Sequence, residues 1–265
     1  MRELAALVIH HRRLAWELAR REVADRYAGQ AMGVVWALGH PLLLMGVYLF
    51  VFAFVFKVKL ERLDGLPLNY PVYLLSGLIP WLATQEALTR GTTALVSQAN
   101  LVKQVVFPIE ILPVKGVLAA LLPLGVSLAG LLVYCGLGLG AVPWTWLAVP
   151  LLAASLGVGL VGVAMALAAV GAYLRDLKDL VQAFTVVGVY LMPAFYLPDM
   201  VPELFRPLLY LNPFSYMVWC FQDALYFGRI EHPYAWVVFP TLCLAALAAG
   251  STLFSRLKVH LGNVL

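Results

Sequence analysis

The chain has 265 residues, of which 63% are A, V, I, L, M, F, W, Y or C and only 12% are charged, with a formal net charge of +4. Soluble domains carry roughly 25% charged residues, and a water-soluble globule of this length could not keep so much hydrocarbon off its surface. Disorder, a disulfide-stapled secreted scaffold and a nucleic-acid-binding domain are excluded with it, which leaves an integral membrane protein.

A bilayer core of ~30 Å asks for about 20 apolar residues per helix, so charge-free runs mark the spans. Residues 4–27 precede the first run. There Leu4, Leu7, Leu14, Ala15 and Leu18 recur at helical spacing, Arg12, Arg13, Arg20 and Arg21 can reach lipid phosphates, and Trp16 and Tyr27 suit an interface. This segment is expected to lie along the membrane as an amphipathic helix. The charged start and the length of the first apolar run argue against a cleavable signal peptide.

Two spans follow, at about 32–56 and 67–88. The long charge-free run 116–174 is right for two helices, broken at Pro143 between flanking Trp144 and Trp146, since Pro interrupts a helix and Trp favours the interface. A fifth span is expected at 179–198 and a sixth at 233–255. The run 207–222 is too short to cross and contains Asn212-Pro213, so a re-entrant hairpin over 203–227 is expected. In the fourth span Ser155, Gly159, Gly162 and Ala166 offer small residues for close helix packing.

The expected fold is therefore all-α: one transmembrane domain over 1–265 with spans at about 32–56, 67–88, 113–140, 146–173, 179–198 and 233–255, an interfacial helix at 4–27 and a hairpin before the last span. Six spans put both termini on one side. Most basic residues lie in the N-terminal segment, the loops after spans two and four and the tail. The others (Lys57, Lys59, Arg62, Arg206, Arg229) share their loops with acids. The positive-inside rule puts both termini in the cytoplasm.

Span interiors carry no Asp, Lys, Arg or Glu; Glu86 and Arg90, four apart near the end of span two, read as a local ion pair. His40, before Pro41, is the one titratable group at depth and reads as a hydrogen-bonded structural residue. Cys135, Cys220 and Cys243 sit in apolar stretches without metal-ligand spacing and read as packing residues. No GxxxxGK[ST] loop, HExxH or paired carboxylate is present, so no cofactor or metal is expected on this chain. Driven transport would take its energy from another chain. Two segments could receive it: a short helix at about 97–107, closed by Pro108, and the link 175–179.

At this point the residues resemble the permease subunits of polysaccharide ABC exporters. The resemblance is carried by Arg26-Tyr27 with Gly33-Val34-Val35-Trp36 and Pro41; by Ser76-Gly77-Leu78-Ile79-Pro80-Trp81; by Asn100-Leu101-Val102-Lys103 through Phe107-Pro108 and Glu110-Ile111-Leu112-Pro113; by Arg175-Asp176; and by Pro193, Tyr196, Val201-Pro202 and Leu211-Asn212-Pro213. Gln104 and Ile109 stand where such proteins often carry basic residues, and Gln222 where Arg is common.

The resemblance implies a homodimer with two copies of an ATP-binding subunit, which would hold ATP and Mg. It implies coupling through Asn100, Leu101, Lys103, Val105, Phe107, Arg175 and Asp176. A channel lined by spans one and five would use Tyr48, Phe52, Tyr190, Phe195 and Tyr196, and an outer gate Tyr210, Asn212, Pro213, Phe214 and Trp219. The implied substrate is a lipid-linked polysaccharide (O-antigen, capsule or teichoic acid) moved across the bacterial inner membrane. Aromatic faces suit sugar C–H surfaces, and they equally suit lipid-facing anchors. A drug or small-lipid exporter of the same superfamily is the alternative. A membrane-embedded glycosyl- or acyltransferase would need catalytic carboxylates or a partnered buried His, for which only His40 offers a start.

Overall fold

The computed structural model describes residues 12–30, 32–55, 70–104, 108–139, 143–259 and 261, which form helices joined by turns, with no strand among them. The first helix, α1 (Arg12–Arg26), buries Ala15, Ala19 and Val23, one residue per turn. This narrow face lies against α5, where Val23 packs with Ala119. Trp16 is 60% exposed and Leu14 is exposed too, so the buried stripe is the alanine side rather than the leucine side; Leu4 and Leu7 lie outside the described residues.

A short 3-10 turn, Gly33–Val35, leads into α2 (Trp36–Phe50), which continues as a π turn, Val51–Val55. Gly33 has φ +51°, a left-handed bend that favours glycine. Within α2 only Ala37 and Pro41 are buried; Leu38, Leu42, Leu43, Val47 and Phe50 are exposed. By contrast α3 (Tyr70–Thr93) is buried along most of its length and packs against α5, α6, α7 and α9. Its Trp81 and Tyr73 are among the largest fully buried side chains.

After a 3-10 turn, Val96–Gln98, the short α4 (Ala99–Gln104) precedes α5 (Ile111–Leu139). A further 3-10 turn, Trp144–Ala148, introduces α6 (Val149–Tyr173); the break falls at Pro143, as expected. Then come α7 (Leu177–Gly188), α8 (Arg206–Leu211), α9 (Pro213–Gln222) with a π continuation Asp223–Phe227, and α10 (Pro233–Lys258).

Among the described residues four helices are long and apolar enough to cross a membrane: Trp36–Val55, Ile111–Gly138, Trp144–Tyr173 and Pro233–Lys258. The other two expected spans, 67–88 and 179–198, are built differently. Helix α3 has the length, but it is surrounded by protein, so it can carry Ser76, Thr84, Gln85, Glu86, Thr89 and Arg90. The expected helix 179–198 stops at Gly188, adds one 3-10 turn, Val189–Leu191, and reaches Met192 in an extended conformation (φ −125°, ψ 157°). Pro193 lacks an N–H and drives the residue before it out of the helical region.

The core is closed by small residues. A Cβ on Gly162 would lie 2.3 Å from the carbonyl oxygen of Ala246, and one on Gly250 would lie 1.9 Å from that of Gly162, so α6 and α10 cross with their backbones in contact. Gly171 does the same for α6 and α3, at 2.4 Å from the Thr92 oxygen. All three cysteines are free and buried.

Candidate functional site

At the basic end of the bundle the charges of α1, α3 and α5 meet. The expected pair forms, with Arg90 Nε 3.0 Å from Glu86 Oε1, and it is the centre of a larger cluster. Arg26 of α1 also reaches Glu86. Glu22 of α1 accepts from Arg90 and from Lys115 of α5, with Nζ at 2.9 Å. Arg90 closes the helix before α4 and Lys115 opens the helix after it, so one carboxylate holds both arms that flank α4. A second tie joins the tail to the start of α5, Lys258 Nζ to Glu110 Oε1 at 2.6 Å.

Above this cluster lies a cavity of about 520 Å³ between α2, α3 and α5. Arg26, His40, Gln85, Glu86, Thr89 and Arg90 line its polar end, and Met45, Tyr48, Leu75, Ile79 and Leu124 its apolar remainder. His40 is exposed on this rim and makes no hydrogen bond to a described residue. His40 thus stands on the cavity wall.

The aromatics fall into connected groups. Tyr48 stacks on Phe52 (6.4 Å between centroids, 13° between planes), Phe52 meets Tyr70 edge-on at 5.9 Å, and Tyr70 stacks near Tyr73. Tyr190, 66% exposed, stacks on Phe195 at 5.7 Å; the Tyr196 hydroxyl donates to the Tyr190 carbonyl at 3.0 Å. Tyr70 joins the two groups, because its hydroxyl donates to the Phe195 carbonyl at 2.8 Å.

That bond belongs to a set that makes the broken end of α7 tolerable. Backbone carbonyls released from a helix cannot face lipid and need donors from protein. Tyr73 shares its one hydroxyl proton between the Pro193 and Tyr196 oxygens (3.2 and 3.0 Å), Gln222 donates its Nε2–H to the Pro193 oxygen at 2.9 Å, and Asn212 its Nδ2–H to that of Leu191 at 2.9 Å. Asn212 also caps α9, accepting the Phe214 N–H at 3.0 Å, while Pro213 opens that helix without an N–H to satisfy.

The remaining hairpin residues are sorted by burial. Tyr210 is 46% exposed, whereas Trp219 is wholly buried with its ring parallel to His232 (5.3 Å, 11°) and 5.4 Å from Tyr210. Phe214 turns inward onto Trp81 (5.3 Å) and Phe184 (5.9 Å). Asp223 and Gln222 are fully buried; Asp223 accepts from Glu231, His232 and Trp236.

Of the expected coupling residues, Asn100 is exposed and Leu101 half-buried, the latter packing against the chain's own cluster of Leu95, Leu112 and Phe254. Lys103 lies in α4, and Val105 and Phe107 lie outside the described residues. Arg175 and Asp176 form the exposed turn before α7, where the Asp176 carbonyl accepts the N–H groups of Asp179 and Leu180.

Sequence reasoning found Arg26, Glu86, Arg90 and Asn212 but missed Glu22, Tyr70, Tyr73 and Asp223. Glu22 is an acid within an arginine-rich helix, and Asp223 is the charge that ends the hairpin's apolar run; each stands out once a buried partner is sought for it.

The profile of the family described as ABC-2 type transporter matches residues 13–226. An O-antigen export system permease protein, RfbA, from Klebsiella pneumoniae is 26% identical over 255 residues, covering 94% of this chain and 93% of its own length. A protein of the same description from Myxococcus xanthus is 26% identical over 257 residues, covering 96% of each. With the profile spanning most of the length, from α1 to the end of the hairpin, the chain belongs to the ABC-2 type transporter family.

Proposed function

We propose that this chain is the membrane-spanning subunit of an ATP-driven exporter that moves a lipid-linked polysaccharide, an O-antigen or a capsule polymer, outward across the bacterial inner membrane. The observation that carries the reading is the end-to-end similarity to two O-antigen export permeases. Two copies would pair around a channel. The apolar faces of α2 (Leu38, Leu42, Val47) and α7 (Leu180, Val186, Val187) support this, because they stay exposed among the described residues. Tyr48, Phe52, Tyr190, Phe195 and Tyr196 would offer weakly polar faces along which a sugar polymer slides without being trapped.

The energy comes from two copies of an ATP-binding subunit, which hold ATP and Mg. Its stroke would reach the permease at Asn100, Leu101, Lys103, Val105 and Phe107 and at Arg175 and Asp176. From α4 the stroke passes to α3 and α5 directly and to α1 through Glu22, which binds Arg90 and Lys115. Tyr210, Asn212, Pro213, Phe214 and Trp219 would close the exit when no polymer is present. Both termini are cytoplasmic in this arrangement, where α1 can lie among lipid head groups.

The test is export by the bacterium itself. Deleting the gene should leave completed polymer inside the inner membrane and none at the surface, and restoring the chain with its ATP-binding partner should reverse both. Normal surface polymer in the deletion strain, with loss of tolerance to an amphiphilic drug, would assign the chain to drug or small-lipid export instead.

A further inference from the structure

Asp223 has no part in the path described above, yet its carboxylate is wholly buried and fully engaged. Its Oδ2 accepts the backbone N–H groups of Glu231 (3.1 Å) and His232 (2.9 Å) and the indole N–H of Trp236 (3.0 Å). Its Oδ1 lies 2.9 Å from His232 Nδ1. Every one of these partners belongs to the turn that starts α10 or to its first turn. The preceding residue, Gln222, points the other way and holds Pro193 at the broken end of α7, while Thr145 donates to the Ala224 carbonyl at 2.9 Å.

Consecutive residues of one hairpin therefore fasten it to span five on one side and to span six on the other. A buried carboxylate with several donors is costly to separate from them, because each leaves the other side unsatisfied in a dry interior. The stacked Trp219 and His232 rings reinforce the same seam.

We propose that Asp223 is a positioning residue that locks the hairpin to the head of the last span, so that both move as one rigid cap. The exit then opens between the two copies and not by the hairpin lifting from its own protomer. This rests on the export reading above. It differs from a flap-like gate in a measurable way: the seam between hairpin and α10 stays closed through the transport cycle.

Tyr216 and Tyr234 face each other across that seam with ring centroids 6.2 Å apart, and the native cysteines are buried. Tyr216→Cys/Tyr234→Cys, joined by a short bifunctional maleimide in cells carrying the ATP-binding partner, should export polymer as well after cross-linking as before. Cross-linking that stops export overturns the proposal; failure of the unaltered chain to export polymer at all sinks the export reading instead.

Asp223→Asn, which keeps the shape but sets an amide N–H against existing donors, should reduce the yield of that cross-link at least threefold. It should also raise passive entry of a small neutral sugar at equal amounts of inserted protein. Trp236→Phe removes one donor and keeps a ring, and should show the same changes to a smaller degree. Wild-type yield and permeability in both variants would overturn the proposal.

Discussion

The hydroxyl of Tyr70 donates to the backbone carbonyl of Phe195 at 2.8 Å, across 125 residues of sequence. The same ring meets Phe52 edge-on, so one side chain ties the π turn after α2 to the non-helical stretch after α7. Tyr70→Phe keeps the ring and removes the donor. Losing one partner of a partly buried hydrogen bond should cost about 1–3 kcal/mol, read as a lower unfolding temperature of the purified protein. Export should fall as well, because the Phe195 segment is no longer held. Unchanged stability would mean that water replaces the hydroxyl.

Glu22 should behave as a junction. Glu22→Lys places a third positive group beside Arg90 and Lys115 and should abolish export in membranes where the protein is still inserted. Reversing the partner, Glu22→Lys with Lys115→Glu, should recover part of the activity. No recovery in the double variant would show that Glu22 acts through Arg90 alone.

Exposure separates two roles on the expected coupling helix. Asn100 is exposed, so Asn100→Arg should weaken co-purification of the ATP-binding subunit and leave thermal stability unchanged. Leu101 packs into the chain's own cluster, so Leu101→Asp should lower both. A stability loss for Asn100→Arg equal to that for Leu101→Asp would remove the distinction.

Helix contact predicts a sharp contrast among glycines. Gly162→Val must push a side chain into the Ala246 carbonyl and should destabilise by about 1–3 kcal/mol or prevent folding. Gly125→Ala meets no atom within 4 Å and should be neutral or stabilise by about 0.5–1 kcal/mol, the ordinary helix preference for Ala. Thermal unfolding of both variants in the same detergent is the check.

Tyr190 distinguishes a polymer path from a lipid face. Tyr190→Ala removes an exposed ring stacked on Phe195; a polymer-contacting role predicts slower export at normal protein level, and a lipid-facing one normal export. Single cysteines over 188–197 should react with a water-soluble thiol reagent on one side of the segment only, with protection when polymer is trapped.

Much of the fold was legible because lipid imposes one demand on every residue it touches. The helical stretches Trp36–Val55, Ile111–Gly138, Trp144–Tyr173 and Pro233–Lys258 are apolar enough to cross a bilayer, and the Pro143 break could be read from a single residue. The end of α3 was less legible: it runs on to Thr93 because Arg90 is neutralised by Glu86 and by Glu22, which is 68 residues away. The end of α7 was missed for a similar reason. Pro193 announces a break, but the donors that permit it, Tyr70, Tyr73, Asn212 and Gln222, are contributed from elsewhere in the chain. Residues of the candidate path could be named as aromatic from sequence, yet only tertiary packing sorts Trp219 into the interior and Tyr190 onto the surface.

The burial of α3 has a consequence for how the protein is made. A nascent helix enters the bilayer from the translocon according to its own apolarity, and α3, which carries Ser76, Thr84, Gln85, Glu86, Thr89 and Arg90, is less apolar than Ile111–Gly138 and Trp144–Tyr173. Its partners α5 and α6 are synthesised after it. We therefore expect the segment to enter together with them rather than alone. Chains truncated after residue 104 should leave 70–93 outside the bilayer, whereas chains ending after residue 175 should insert it.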